Sequence, residues 1–422
     1  MPIFTIISDI LHGGGSKTKK KKQKTERYHY TNNNIFEQSL DIYRPVASST
    51  DTNKDNSVVA LVVGSAWLGH RAFVYSPTSW WNSAGPKSIS DLGHVCICIR
   101  HRGAFMQTFN ILTLTYIIIN ALLIMAMMNA SLPWLSEWEA MSLMKENIPQ
   151  EEVVLLILFI TGLLLMQLGG IGAASFDEMQ NDVLTALKWL KANEDRIGVK
   201  CSSASREESK SSNQSQFIFG GYSSGGHVAA TLAQNANLWK DHDLPPPQIH
   251  CDSLLFISPV LATKAYHDVL IKKMSSVSSS SSLPSLSPSE TGSSEHTAPS
   301  RQSSSISEAL STQPKPPTWL TDQVVKAVFG RTVASTIPSP IHTYEKSSIL
   351  PHIFVGCENE MFGLPWLNTF FCSSNFSELL TSMGIESRYT AVQSDHWNIL
   401  NSDGLREHLR RELKRVGGEK VE

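Results

Sequence analysis

Between Gln216 and Ala233 the chain reads QFIFGGYSSGGHVAATLA, an apolar strand pattern that runs almost directly into an alanine-rich helix pattern. A chain that changes from strand to helix in so few residues must turn sharply, and the glycines at 221 and 225 leave room for the two backbones to approach. Such a turn belongs to a mostly parallel sheet with helices packed against it. It also lifts the residue at its apex, Ser223, clear of the sheet, where a hydroxyl can meet a bound molecule. Gly221, Ser223 and Gly225 together form GxSxG, which makes Ser223 the candidate nucleophile, with Ser224 its local rival.

The rest of the chain repeats the same alternation. Strands are expected over Ser57–Val63, His94–Ile99, Gln216–Phe219, Ser253–Ile257, His352–Val355 and Arg388–Val392, with helical patterns such as Phe176–Glu194 and His227–Ala233 between them. Short apolar strands separated by amphipathic helices predict a parallel sheet covered on both faces.

Two further segments sit where a hydroxyl nucleophile would need help. VVGSAWLGH, Val62 to His70, follows the first strongly apolar strand as a small-residue loop. Its Ser65 and Ala66 N–H groups, with that of Ser224, are candidates for an oxyanion hole, because a tetrahedral intermediate puts negative charge on oxygen and needs donors already in place. QSDHWNIL, Gln393 to Leu400, places His396 just after the last expected strand, about 170 residues beyond Ser223. An imidazole titrates near neutrality, so His396 can take the serine proton and return it to the leaving group. A carboxylate should hold that imidazole, and PHIFVGCENEMFGLP, Pro351 to Pro365, offers Glu360 first and Glu358 as the alternative.

Two stretches interrupt this frame. Phe105–Met128 and Val153–Ala174 each contain more than 20 residues without a charge. At about 1.5 Å of rise per residue, either could cross roughly 30 Å of hydrocarbon as a helix. Together they predict an inserted two-helix transmembrane hairpin. The strands before and after it are expected in one sheet, so the chain must return to the side it left, and two crossings allow that. Arg100 and Arg102 flank the first span, whereas the connecting loop carries Glu137, Glu139, Glu146, Glu151 and Glu152 against Lys145. The basic bias therefore puts the main body in the cytosol of a two-span membrane protein. The organelle stays open, with the endoplasmic reticulum one candidate. Membrane lipids are then partners.

Composition excludes other classes. A net charge of -2 argues against a nucleic-acid binder, and the basic run KTKKKKQK, Lys17 to Lys24, reads as a solvated tail or a patch for anionic headgroups. The six cysteines show no disulfide framework and no metal-ligand spacing, so free thiols, no metal and no cofactor are expected. Ser202–Gln216 and Met274–Pro317 are rich in small polar residues that cannot offset their ordering entropy, and they predict disordered insertions. The resulting division is a tail over 1–25, core segments over 26–104, 175–273 and 318–422, the hairpin over 105–174, and a serine- and proline-rich insertion over 274–317.

The chain resembles the α/β-hydrolase superfamily, in its carboxylesterase-like and prenylcysteine methylesterase-like esterase and lipase branch. LDIYRP at 40–45 looks like that branch's LDxYxP segment, GSAWLGH at 64–70 like its oxyanion loop, and GYSSGGH at 221–227 like its nucleophile elbow. FDEMQNDVLTALKWLKANEDRIG at 176–198 is similar to the helix before the elbow, with Asp182 and Trp189 in familiar places. Val63 and Ser65 stand where the branch usually has histidine and glycine, and glutamate replaces the commoner aspartate. The resemblance implies hydrolysis of a carboxylic ester by acyl-enzyme chemistry, with a lipophilic substrate suggested by the expected anchor. Amide cleavage of the arylformamidase type and a catalytically silent membrane scaffold are the alternatives.

Overall fold

In a computed structural model of the chain, the described residues are 25–33, 35–45, 57–64, 67, 80–103, 174–201, 216–263, 337–344, 350–360, 369–396 and 398–416. The chain divides into two units, Met1–Lys22 with Phe105–Ala173, and Gln23–Ala104 with Ala174–Glu422; the described residues all belong to the second. The basic run Lys17–Lys24, both apolar spans save Ala174, the serine-rich insertion after 273, nearly all of 202–216, and Ser65 and Ala66 lie outside them. Among the described residues no helix is long and apolar enough to cross a membrane.

The strands are β1 (Thr25–His29), β2 (Ser39–Tyr43), β3 (Val58–Val62), β4 (Val95–Ile99), β5 (Phe217–Tyr222), β6 (Ser253–Ile257), β7 (His352–Asn359) and β8 (Ser387–Asp395). The longer helices are α1 (Trp80–Asp91), α2 (Phe176–Ala192), α3 (Ser223–Gln234), α4 (Ser373–Ser382) and α5 (Asp403–Val416). One eight-stranded sheet runs in the order β1-β2-β4-β3-β5-β6-β7-β8. From β4 through β3, β5, β6 and β7 to β8 the pairing is parallel, and β1 and β2 add an antiparallel edge.

All six strands expected from apolar runs are present. The additional pair, β1 and β2, has no unbroken apolar run: β2 buries Leu40, Ile42 and Tyr43 but carries Asp41 among them. Asp41 in the middle of β2 is buried and accepts from Arg27 of β1 at 2.7 Å and from Arg100 just after β4. Charge pairing of residues far apart in sequence cannot be read from local hydrophobic period.

Side chains alternate across the sheet. On one face Val59, Leu61, Cys96, Cys98, Ile218, Leu255, Ile257, Ile353 and Val355 pack against Ile89 of α1 and Leu405, Leu409 and Leu413 of α5. On the other, Phe219 meets Trp239 edge-on at 5.8 Å and Phe354 meets Phe376 of α4 at 5.8 Å. Each fully buried side chain of this size contributes roughly 1.5–3 kcal/mol. Cys96 and Cys98 share a face, as a two-residue spacing on a strand requires. All six cysteines are buried and unbridged.

The point where the apolar insertion departs is closed by main chain: the Ala174 N–H donates to the Gly103 carbonyl at 2.9 Å. Asp182 of α2 reinforces it, accepting from the Arg102 N–H and Nε at 2.9 Å each and from Gln38 Nε2 at 2.9 Å. Helix α2 starts at Phe176 because Ser175 and Glu178 form a reciprocal capping box.

Candidate active site

Strand β5 is the central support, paired with β3 and β6. It ends at Tyr222, and α3 begins at Ser223 with no intervening loop. Ser223 takes φ 55°, a left-handed conformation that a side chain adopts only under constraint. The turn closes only because Gly221 lacks a Cβ, which would stand 2.5 Å from the Gly225 carbonyl. Helix α3 has no side-chain cap. Its first-turn N–H groups, that of Ser224 among them, and the positive end of its dipole therefore face the same rim as the Ser223 hydroxyl.

The structure brings three sequence-predicted residues together. His396, in the turn after β8, has Nε2 2.9 Å from Ser223 Oγ and Nδ1 2.9 Å from Glu360 Oε2. Glu360, directly after β7, is buried, and its Oε1 accepts from the Cys357 N–H at 3.0 Å. Glu358, the alternative acid, is exposed on the strand and is not in this group. Two positions separate them, but β7 ends between them, so the alternation that would put both on one face does not carry through.

Sequence reading did not single out Ser258. It follows β6, is fully buried at φ 42°, and its hydroxyl lies 2.5 Å from Glu360 Oε2 and 2.7 Å from His396 Nδ1. The protons then sort themselves. A carboxylate only accepts, so the single Ser258 proton goes to Glu360, and the Nδ1–H of His396 is shared between Glu360 and the Ser258 oxygen. Nε2 is left bare, facing the Ser223 O–H. The only local signal for Ser258 was a Ser-Pro pair after an apolar strand, which marks a turn and nothing more.

The oxyanion-loop candidates are reached through their neighbour. Ser65 and Ala66 lie outside the described residues, but Trp67 is buried at φ 60° and its N–H donates to Ser224 Oγ at 3.1 Å. Trp67 Nε1 donates to His227 Nδ1 at 3.1 Å, and His227 Nε2 donates to the Pro338 carbonyl at 2.7 Å. Burial pushes the His227 pKa down to about 4, so the ring stays neutral and can accept from the indole while donating to the carbonyl. Gly64 permits the close fit, since a Cβ there would stand 2.4 Å from the Tyr222 carbonyl and 2.6 Å from Ser223 Cβ.

His396 is also held by aromatic rings. Tyr222 stacks on it at 5.3 Å between centroids and donates its hydroxyl to the His396 carbonyl at 2.6 Å, while Phe371 lies on it at 4.7 Å. Neither ring was marked by sequence pattern.

No family model and no curated protein matches the sequence. The solved structures similar in fold include two crystal structures of esterase B from Lactobacillus rhamnosis, one C6-C4 SN3 inhibited and one with a C4-C4 SN3 tributyrin phosphonate. They align with a TM-score of 0.50 at 10% and 11% identity, each over 99% of this chain and 93% of the esterase.

Proposed function

We propose that this chain, which has the α/β-hydrolase fold, is a serine hydrolase that cleaves carboxylic esters through an acyl-enzyme intermediate. The observation that carries the reading is the relay from Ser223 Oγ to His396 Nε2 and from His396 Nδ1 to Glu360, 2.9 Å at each step. In acylation the Ser223 oxygen attacks the carbonyl carbon and its proton passes to Nε2. Glu360 stays ionised and stabilises the imidazolium. The carbonyl oxygen becomes an oxyanion that the Ser224 N–H, with those of Ser65 and Ala66, would receive. As the tetrahedral intermediate collapses, Nε2 hands its proton to the leaving alcohol. Water then repeats the sequence on the acyl-serine and regenerates the hydroxyl.

A lipophilic ester is the substrate class that goes with the two long apolar stretches, read as a membrane hairpin that keeps the catalytic body beside a bilayer. The backbone closure between Gly103 and Ala174 supports treating that segment as an excursion from the core.

A fluorophosphonate probe tests the reading, because it forms a covalent bond only with an activated serine. The wild-type protein should be labelled and Ser223→Ala should not; labelling that survives the substitution removes Ser223 from the mechanism. Turnover of acyl esters measured beside formamides then separates ester from amide cleavage, and a labelled protein that turns over only formamides overturns the ester assignment.

A further inference from the structure

We propose that Tyr222 is a positioning residue for the general base, tying the turn that carries His396 to the nucleophile's own strand. The proposal rests on the serine-hydrolase reading above and deepens it. Tyr222 immediately precedes Ser223, and its hydroxyl donates to the main-chain carbonyl of His396 at 2.6 Å. Its ring lies nearly parallel to the imidazole, with centroids 5.3 Å apart and planes 24° from each other. Phe371 lies on the same imidazole at 4.7 Å, tilted by 56°.

The need for such a tie follows from where the two catalytic groups originate. Ser223 is delivered by β5, an interior strand paired on both sides. His396 is delivered by β8, which among the described residues pairs with β7 alone at the end of the sheet, and that pairing shifts register between Cys357 and Asn359, next to the site. The bonds from the Asn398 N–H and Nδ2 to Asp395 close the turn after β8 locally, at 2.9 and 2.7 Å, but they do not tie it to β5. Bonds to the imidazole nitrogens fix the ring but not the main chain that bears it, and proton transfer reorganises those same bonds during turnover. The bond from Tyr222 to the carbonyl is independent of the proton's position. The tyrosine ring is itself packed on the core cluster that lies against α5, so it can act as a rigid strut.

His396 serves both half-reactions, which makes the role measurable apart from substrate binding. With an activated acyl ester, Tyr222→Phe keeps the ring and deletes the hydroxyl. The burst and steady-state rates should both fall about tenfold with KM unchanged, since a misplacement of ~1 Å at a reacting group can cost on the order of 10²-fold. Tyr222→Leu, which also removes the ring, should lose roughly another tenfold. Placing 4-aminophenylalanine at 222 restores a donor and should recover most of the Tyr222→Phe loss, a rescue that a purely steric role would not give. The proposal is overturned if Tyr222→Phe leaves both rates unchanged, if its effect is confined to KM or acyl-chain preference, or if the restored donor does not rescue. A variant that fails to fold is replaced by the 4-aminophenylalanine protein, whose rates must then match wild type within about threefold. If the wild-type protein does not react with fluorophosphonate at Ser223, the hydrolase reading falls and takes this role with it; normal labelling with indifferent Tyr222 variants sinks the positioning role alone.

Discussion

The hydroxyl of Ser258 stands 2.5 Å from Glu360 Oε2, and both side chains are buried. A carboxylate shut away from water must find its donors inside the protein or lose its charge. Here a serine from the end of β6 supplies one, the Cys357 N–H another, and His396 the third.

Ser258→Ala removes that donor and leaves the relay otherwise in place. We expect kcat to fall about tenfold with little change in KM, in proportion to one hydrogen bond to a charged group. Steady-state kinetics on an acyl ester checks it, and an unchanged kcat would show that Glu360 manages without the serine.

Glu360→Gln should be far more damaging. A glutamine can donate to Nδ1 and so hold the imidazole in the tautomer that keeps a proton on Nε2, where the serine needs an acceptor. A loss in kcat of about 10³- to 10⁴-fold is expected. Glu358→Gln, on the exposed face of the strand, should leave kcat within about twofold of wild type. The reverse ranking would move the acid to Glu358.

Trp67 and Gly64 govern how the loop after β3 meets the elbow. Trp67→Phe keeps the packing but deprives His227 Nδ1 of its donor, and kcat should drop about tenfold as the loop's amides lose registration. In Gly64→Ala the added Cβ would collide with the Tyr222 carbonyl and Ser223 Cβ, and a loss above about 10²-fold is expected. Steady-state turnover of an acyl ester measures both.

Acid stability depends on buried histidines, three of which are shifted furthest. Burial pushes His227, His250 and His352 each down to about 4, from an ordinary value of 6.5. The unfolded chain therefore takes up protons that the folded one refuses, and stability must decline as pH falls from 6.5 toward 4. Each site can remove up to about 3 kcal/mol by pH 4. Thermal melts should be flat in Tm above pH 7 and drop steeply between pH 6.5 and 4. His250 has neither ring nitrogen hydrogen-bonded and rests against Phe217 and Trp239. His250→Phe should shallow that drop, and an identical pH dependence in the variant would exclude His250 as a contributor.

Much of the frame was legible because it rests on local pattern. Six strands announced themselves as apolar runs, α2 by its period, and the strand-to-helix turn at Ser223 by glycines two residues to either side. β1 and β2 were not legible, since Asp41 breaks the apolar run and is satisfied only by Arg27 and Arg100 from elsewhere in the chain.

The candidate site divides along the same line. That a hydroxyl, an imidazole and a glutamate should be sought at strand ends follows from the order of elements, which the amino-acid sequence by itself determines. Which glutamate meets the imidazole, that Ser258 joins them, that Tyr222 reaches the turn after β8 and that Trp67 reaches helix α3 are decisions of the tertiary structure alone. They depend on the register of β6, β7 and β8 and on the turns that follow them. A few ångströms through space are set there by residues as many as 174 positions apart, and no local period encodes such distances.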